Sequence, residues 1–291
     1  MEQDALARCH PAVALAYFAV AIAFAAVVQH PAYLAAGLLA GAGYLTLLRG
    51  REALPFLAGT SVMFVLVAAV NPLFNTRGSH VLFELLGRPY TLEALCHGAA
   101  VAAMLAAMLV WFACYSQVVT ADKLTCLFGN LAPALSLLLV MVLRAVPDLA
   151  RKAGEIATAR RCVGLAPGAG GRETPRTRLH AATGVLSALV DHALEGSVCT
   201  ANSMQARGYG AGRRTTYQLH RWCARDRALL AAQGALLLAA LLAGVPEARY
   251  TPVLSVGALS WGFVAYCGYL AVPFALRAKE ALQWRRSSSS M

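Results

Sequence analysis

Residues Leu124–Val146 read LTCLFGNLAPALSLLLVMVLRAV, and whether this run crosses a bilayer decides how the rest of the chain is arranged. It is about as long as the roughly 20 apolar residues that cross a hydrocarbon core of about 30 Å. Gly129, Asn130 and Pro133 interrupt it near its start, however, and Arg144 lies near its end. Six cleaner apolar stretches flank it: Pro11–Val28, Pro31–Leu48, Leu54–Phe74, Leu92–Ser116, Arg227–Gly244 and Pro252–Leu276. Residues 147–227 hold 13 of the 25 Lys and Arg against six acidic residues.

If Leu124–Val146 spanned, that basic block would lie opposite Lys123 and Arg49-Gly50-Arg51. If it lies in the interface or re-enters, six crossings remain. Both termini, Arg49–Glu52, Lys123, the basic block and Arg277–Arg286 then share one face, and only Arg77, Arg88 and Arg249 face outward. Lys and Arg concentrate in short cytoplasmic loops, which selects the second arrangement. The sequence therefore predicts an all-α polytopic membrane protein with about six transmembrane helices and a cytoplasmic pair of long helices. Residues 1–123 carry the first four crossings, 124–226 the interfacial helix and the cytoplasmic pair, and 227–291 the last two crossings and a tail.

Composition agrees. The chain is 59% hydrophobic and 13% charged, about half the charge of an average soluble domain. A net charge of +11 invites nucleic acid as a partner, but apolar membrane helices account for it through topology, and no nucleic acid is expected. The eight cysteines, Cys9, Cys96, Cys114, Cys126, Cys162, Cys199, Cys223 and Cys267, form no CxxC pair and read as thiols without a zinc site or disulfide framework. Glu2 and Asp4 against Arg8 deny the first apolar run the basic flank of a signal peptide, so it is expected to remain as a membrane helix.

The basic insertion reads as two helices. The first runs from about Pro147 to Val163 and stops at Gly164, with Pro167, Gly168, Gly170 and Gly171 following as breakers. Thr174-Pro175 opens the second as an N-cap and a first-turn proline, and it continues to Arg207 before Gly208. Leu179, Ala182, Leu186, Leu189 and Ala193 recur at helical spacing, with His180, Asp191 and Glu195 off that stripe. Such a pair is too polar to span and too apolar to stand alone in water, so a protein partner on the cytoplasmic side is expected. Ser287–Ser290 reads as a disordered tail.

The chain contains no GxxxxGK[ST] phosphate loop, no HExxH and no GxSxG. Its histidines do not pair with carboxylates or cysteines at metal-ligand spacing. His30 and His80 fall in predicted outer loops as polar interface residues, while His97 lies within a span one turn from Glu93. Gly37-xxx-Gly41 and Ala99-xxx-Ala103-xxx-Ala107 are small-residue stripes of the kind that lets membrane helices approach closely. No catalytic residue, cofactor or metal site is expected.

Met204-Gln205-Ala206-Arg207-Gly208-Tyr209-Gly210 carries the most information. At its plainest it is a helix C-terminus, with an arginine favourable against the macrodipole and a glycine ending the helix. A helix projecting from a membrane protein gives it a sharper meaning: Arg207 is presented at a tip for insertion into an acidic groove on a partner.

The layout resembles the T component, the transmembrane scaffold, of energy-coupling factor transporters. The similar blocks occur in order: Asn71-Pro72-Leu73-Phe74 with Arg77-Gly78, Thr91-Leu92-Glu93-Ala94, Thr120-Ala121-Asp122-Lys123, Leu143-Arg144-Ala145-Val146-Pro147, and Ala206-Arg207-Gly208 at the family's second coupling motif. The first coupling motif, commonly Ala-Arg-Gly as well, is matched by Cys162-Val163-Gly164, so Val163 stands where the arginine would be. Arg160 and Arg161 lie two to three residues earlier, and whether either substitutes is open. The resemblance implies a non-catalytic subunit in the membrane of a prokaryotic cell. Its partners would be two cytoplasmic ATP-binding-cassette subunits, docked on the two motifs, and a membrane-embedded substrate-binding subunit that takes up a vitamin or metal ion. The alternative is a self-sufficient secondary transporter, which requires paired charges or broken helices near the midplane. An integral-membrane enzyme is a further rival. It would need an acid or base beside Arg160, Arg161, Arg213 and Arg214, and none accompanies them.

Overall fold

A computed structural model describes residues 6–74, 81–85, 88–128, 133–164, 175–212, 222–244, 248–249, 255–257 and 259–288. Arg77-Gly78, His80, Asn130, the breakers from Pro167 to Gly171, Thr174, Arg213 and Arg214 lie outside them. The described chain is overwhelmingly helical: α1 Pro11–Val27, α2 Pro31–Arg49, α3 Ala53–Phe74, α4 Leu92–Val118, α5 Ala121–Phe128, α6 Pro133–Cys162, α7 Pro175–Ala206, α8 Ala224–Leu242 and α9 Trp261–Ser288. Two small antiparallel ribbons qualify the all-α expectation. One pairs β1 (Val81–Leu85) with β2 (Arg88–Thr91), the other β3 (Ala248–Arg249) with β4 (Ser255–Val256). Val81, Phe83, Tyr90 and Thr91 are the β-branched and aromatic residues that favour a strand.

Two described segments are long and apolar enough to cross a membrane: Pro31–Phe74, 44 residues, and Leu92–Val118, 27 residues. The first comprises α2 and α3, divided by the 3-10 turn Gly50–Glu52. α1 is a shorter apolar helix of 17 residues.

The chain divides into two compact units, Met1–Leu124 with His220–Met291, and Thr125–Leu219. In the first, Tyr17, Phe18, Tyr44 and Trp111 from α1, α2 and α4 are fully buried, and Tyr266 and Tyr269 of α9 join them. Three of their polar handles reach backbone carbonyls. The Trp111 indole donates to Gly37 O at 3.0 Å, the Tyr269 hydroxyl to Tyr17 O at 3.0 Å and the Tyr17 hydroxyl to Leu270 O at 3.5 Å. Such bonds matter in an apolar surround, where an unmade one is costly. The Gly37-xxx-Gly41 stripe is what admits these rings. A Cβ on Gly37 would lie 2.8 Å from Tyr266 Oη, and one on Gly41 would lie 3.0 Å from Val110 Cγ1 and 3.2 Å from Trp111 Nε1. Gly98 is tighter, because its Cβ would sit 2.9 Å from the backbone oxygen of Ala68 and from Cβ of Asn71.

Four sequence expectations need correction. The first insertion helix does not begin at Pro147: α6 runs unbroken from Pro133 to Cys162 with Pro147 inside it. Proline deletes one donor and crowds the preceding turn, yet the Ala-, Leu- and Arg-rich flanks carry the helix through. The last apolar helix starts at Trp261, nine residues after Pro252, since the intervening Val, Ser and Gly residues disfavour a helix, and α9 extends to Ser288 into the expected tail. His30 does lie in the short α1–α2 connection, but buried there rather than at an interface. It is 1% exposed, its Nδ1 accepts from Ala32 N at 3.3 Å as the cap of α2, and its Nε2 donates to Gly257 O at 3.1 Å. The α7 stripe is split: Leu189 and Ala193 are half-buried, whereas Leu179, Ala182 and Leu186 are exposed. All eight cysteines lie among the described residues, and none is in a disulfide.

Gly98→Ala should therefore destabilise the first unit by about 1–3 kcal/mol, because a backbone carbonyl cannot swing away. Gly43→Ala, whose Cβ would meet Phe274 at an ordinary 3.6 Å, should not. Thermal unfolding of both variants in detergent reads the difference.

Candidate partner-docking site

The second unit contains α6 and α7, packed on each other. Half-buried residues on α6 recur as Ala153, Ile156, Ala157 and Arg160, and on α7 as Ala181, Gly184, Val185, Ala188 and Leu189, the spacing of two helical seams. Elsewhere α7 is open: it has no buried residue, and Leu179, Leu186, Val190, Leu194 and Val198 are exposed.

Both helices end in the same way. On α7, the N–H of Arg207 donates to Ser203 O at 3.2 Å, that of Gly208 to Gln205 O at 2.9 Å, and that of Tyr209 to Met204 O at 3.0 Å. Gly208 has φ +79°. This is a Schellman motif, with Ala206 the last helical residue, Arg207 the C-cap and Gly208 in the left-handed position that glycine occupies without a Cβ penalty. On α6, the N–H of Val163 donates to Ala159 O at 3.2 Å, that of Gly164 to Arg161 O at 3.1 Å, and Gly164 has φ +77°. Cys162, Val163 and Gly164 thus repeat the backbone roles of Ala206, Arg207 and Gly208 residue by residue.

The side chains differ. The Arg207 side chain is exposed at its tip, and its guanidinium makes no hydrogen bond or ion pair among the described residues. Val163 is 75% exposed. Arg160 is turned away from its tip: its guanidinium lies against the α7 backbone at Gly184, where a Cβ would come within 2.6 Å of Arg160 Cζ. Arg161 is exposed. Further back on α6, Arg151 pairs with Asp148 and Lys152 with Glu155, and the Lys152 hydrogen bond holds the Glu155 carboxyl below its ordinary range. Those cations are locally answered, as exposed pairs one turn apart usually are, and Arg161 and Arg207 are not.

The membrane-side blocks fall mainly at helix ends. Thr91 caps α4, its Oγ1 accepting from Ala94 N at 3.4 Å, and Glu93 is 3% exposed. Asn71 packs against Gly98, and the Lys123 ammonium donates to Val118 O at 2.6 Å. Between α2, α3 and α4 lies a groove of about 580 Å³ whose floor includes Ala99 and Ala103 of the small-residue stripe. Thr60 and Ser61 on its wall donate to Phe56 O and Ala58 O of their own helix, so their donors are already engaged.

Sequence reasoning missed the paired caps at His10-Pro11-Ala12 and His30-Pro31-Ala32, where each imidazole Nδ1 accepts from the alanine N–H. The repeated tripeptide was the available signal. Nothing in the sequence announced the Arg160–Gly184 contact. A scan of protein-family models finds no match for this chain, and a search of curated proteins finds none either.

Gly208→Ala should strain the cap by about 1–2 kcal/mol. Exchange of the Tyr209 amide should accelerate on the order of ten-fold, at about 1.4 kcal/mol per decade. Gly196→Ala, in open space on the same helix, should leave it unchanged.

Proposed function

We propose that this chain is the transmembrane scaffold of an energy-coupling factor ABC importer. It couples ATP hydrolysis by two cytoplasmic ATPase subunits to movement of a membrane-embedded substrate-binding subunit for vitamin or metal-ion uptake. The observation that carries this reading is the pair of long helices ending in backbone-equivalent, solvent-exposed tips, Cys162-Val163-Gly164 and Ala206-Arg207-Gly208. Two equivalent projections suit a partner that comes as a pair. A rigid cap holds each tip, which limits the ordering entropy lost on docking.

On this proposal α1, α2, α3, α4, α8 and α9 cross the membrane of a prokaryotic cell, and α5, α6 and α7 with both termini belong to the cytoplasmic side. The apolar character of Pro31–Phe74 and Leu92–Val118 and the basic bias of residues 147–227 support it. A secondary transporter would need polar groups converging on a midplane cavity. The α2–α3–α4 groove offers none, its two hydroxyls being engaged within α3, which favours the scaffold. The scaffold itself performs no chemistry and takes no cofactor.

Arg207 would form a bidentate pair with a carboxylate in an ATPase groove. Removing one partner of a buried pair costs about 3–5 kcal/mol, or on the order of 100- to 1,000-fold in affinity. Arg207→Glu should therefore abolish co-purification of at least one ATPase and with it uptake, at unchanged membrane expression. Normal assembly and transport by that variant would sink the docking role of the tip.

A further inference from the structure

The two tips share a backbone but not a chemistry, and the difference specifies the partner. We propose, resting on the scaffold reading above, that the two ATPase subunits are different polypeptides: one offers an acidic groove to Arg207, the other an uncharged, apolar groove to Val163.

Three observations lead there. Val163 and Arg207 occupy the same C-cap position, fixed by matching hydrogen bonds and by left-handed glycines at 164 and 208, so one enters its groove where the other enters its own. No neighbouring arginine restores the charge at the α6 tip. Arg160 is laid along α7 at Gly184 with its Nε buried. Arg161 lies two residues before Val163, about 200° around a helix of 3.6 residues per turn, and so points to the opposite side. Finally, Val163 is 75% exposed, so the side chain offered at the α6 extremity is uncharged and open to a partner.

Identical subunits would present the same groove twice. An acidic groove closed over Val163 would bury a carboxylate with no counter-ion, and an apolar groove closed over Arg207 would bury an unpaired guanidinium. Either mismatch penalises the complex, and two different grooves avoid both. Rejection of the wrong tip then also fixes which subunit sits on which helix.

The test isolates the full chain with its partners from native membranes and determines the intact masses of the ATPase chains retained. It then repeats the isolation with Val163→Arg, Val163→Ala and Arg207→Val. Val163 is exposed, so its variants should insert and melt as the wild type does, which is checked first. Two distinct ATPase masses are expected. Val163→Arg should weaken retention of one of them at least ten-fold, Val163→Ala should weaken that same one by less, and Arg207→Val should release the other. A single ATPase sequence present in two copies, or Val163→Arg retaining ATPase as well as or better than the wild type, overturns the proposal while leaving the scaffold intact. A wild-type chain that retains no ATPase overturns the scaffold itself.

Discussion

The proposed arrangement of this protein depends on one constraint, that the apolar run Leu124–Val146 does not cross the bilayer as a continuous helix. In hydrocarbon every peptide group must be satisfied within its own helix over roughly 20 residues. Between Leu124 and Val146 the described helices are α5, to Phe128, and α6, from Pro133. From Pro133 to Val146 α6 covers only about 21 Å at 1.5 Å per residue. It then continues through Asp148, Arg151 and Lys152, which belong in water. Were the run to span, the number of crossings would change by one and the side of every later segment would reverse.

On that proposal α6 and α7 lie outside the bilayer, and their C-terminal ends are set by glycine. Gly164 and Gly208 hold the left-handed position that closes each helix, and the residue before each is thereby held at the extremity. On the proposed scaffold role, the chemistry of docking reduces to the identity of two C-cap residues, Val163 and Arg207. The seam between the helices has its own consequence for that chemistry, since Gly184 makes room for the Arg160 guanidinium and draws it off the tip. The apolar residues exposed along α7 are consistent with a pair completed by partners.

Much of this was legible in the sequence where local chemistry decides. The first four apolar helices lie within two residues of their expected ends, because His-Pro-Ala, Gly50 and Thr91 punctuate apolar runs unambiguously. α7 runs from Pro175 to Ala206 between the anticipated cap and Gly208. Legibility failed where competing terms are close or remote in sequence. Pro147 usually ends a helix, but a long favourable run on both sides outweighed its missing donor. The last apolar run was read from Pro252, yet α9 begins at Trp261. The burial of His30 could not be read because its partner, Gly257, is 227 positions away. Of the site, both tips and the odd valine could be read directly. The question of which arginine might replace it could not, because the answer lies in a contact between Arg160 and a residue of a different helix.

The central claim, that residues after Val146 emerge on the same side as Arg49–Glu52, is tested most directly by reporters fused after Ala169 and after Arg51. The account predicts a cytoplasmic signal at both positions. A periplasmic signal after Ala169 beside a cytoplasmic one after Arg51 would contradict it, because Leu124–Val146 would then cross the bilayer and the helix tips could not reach a cytoplasmic ATPase.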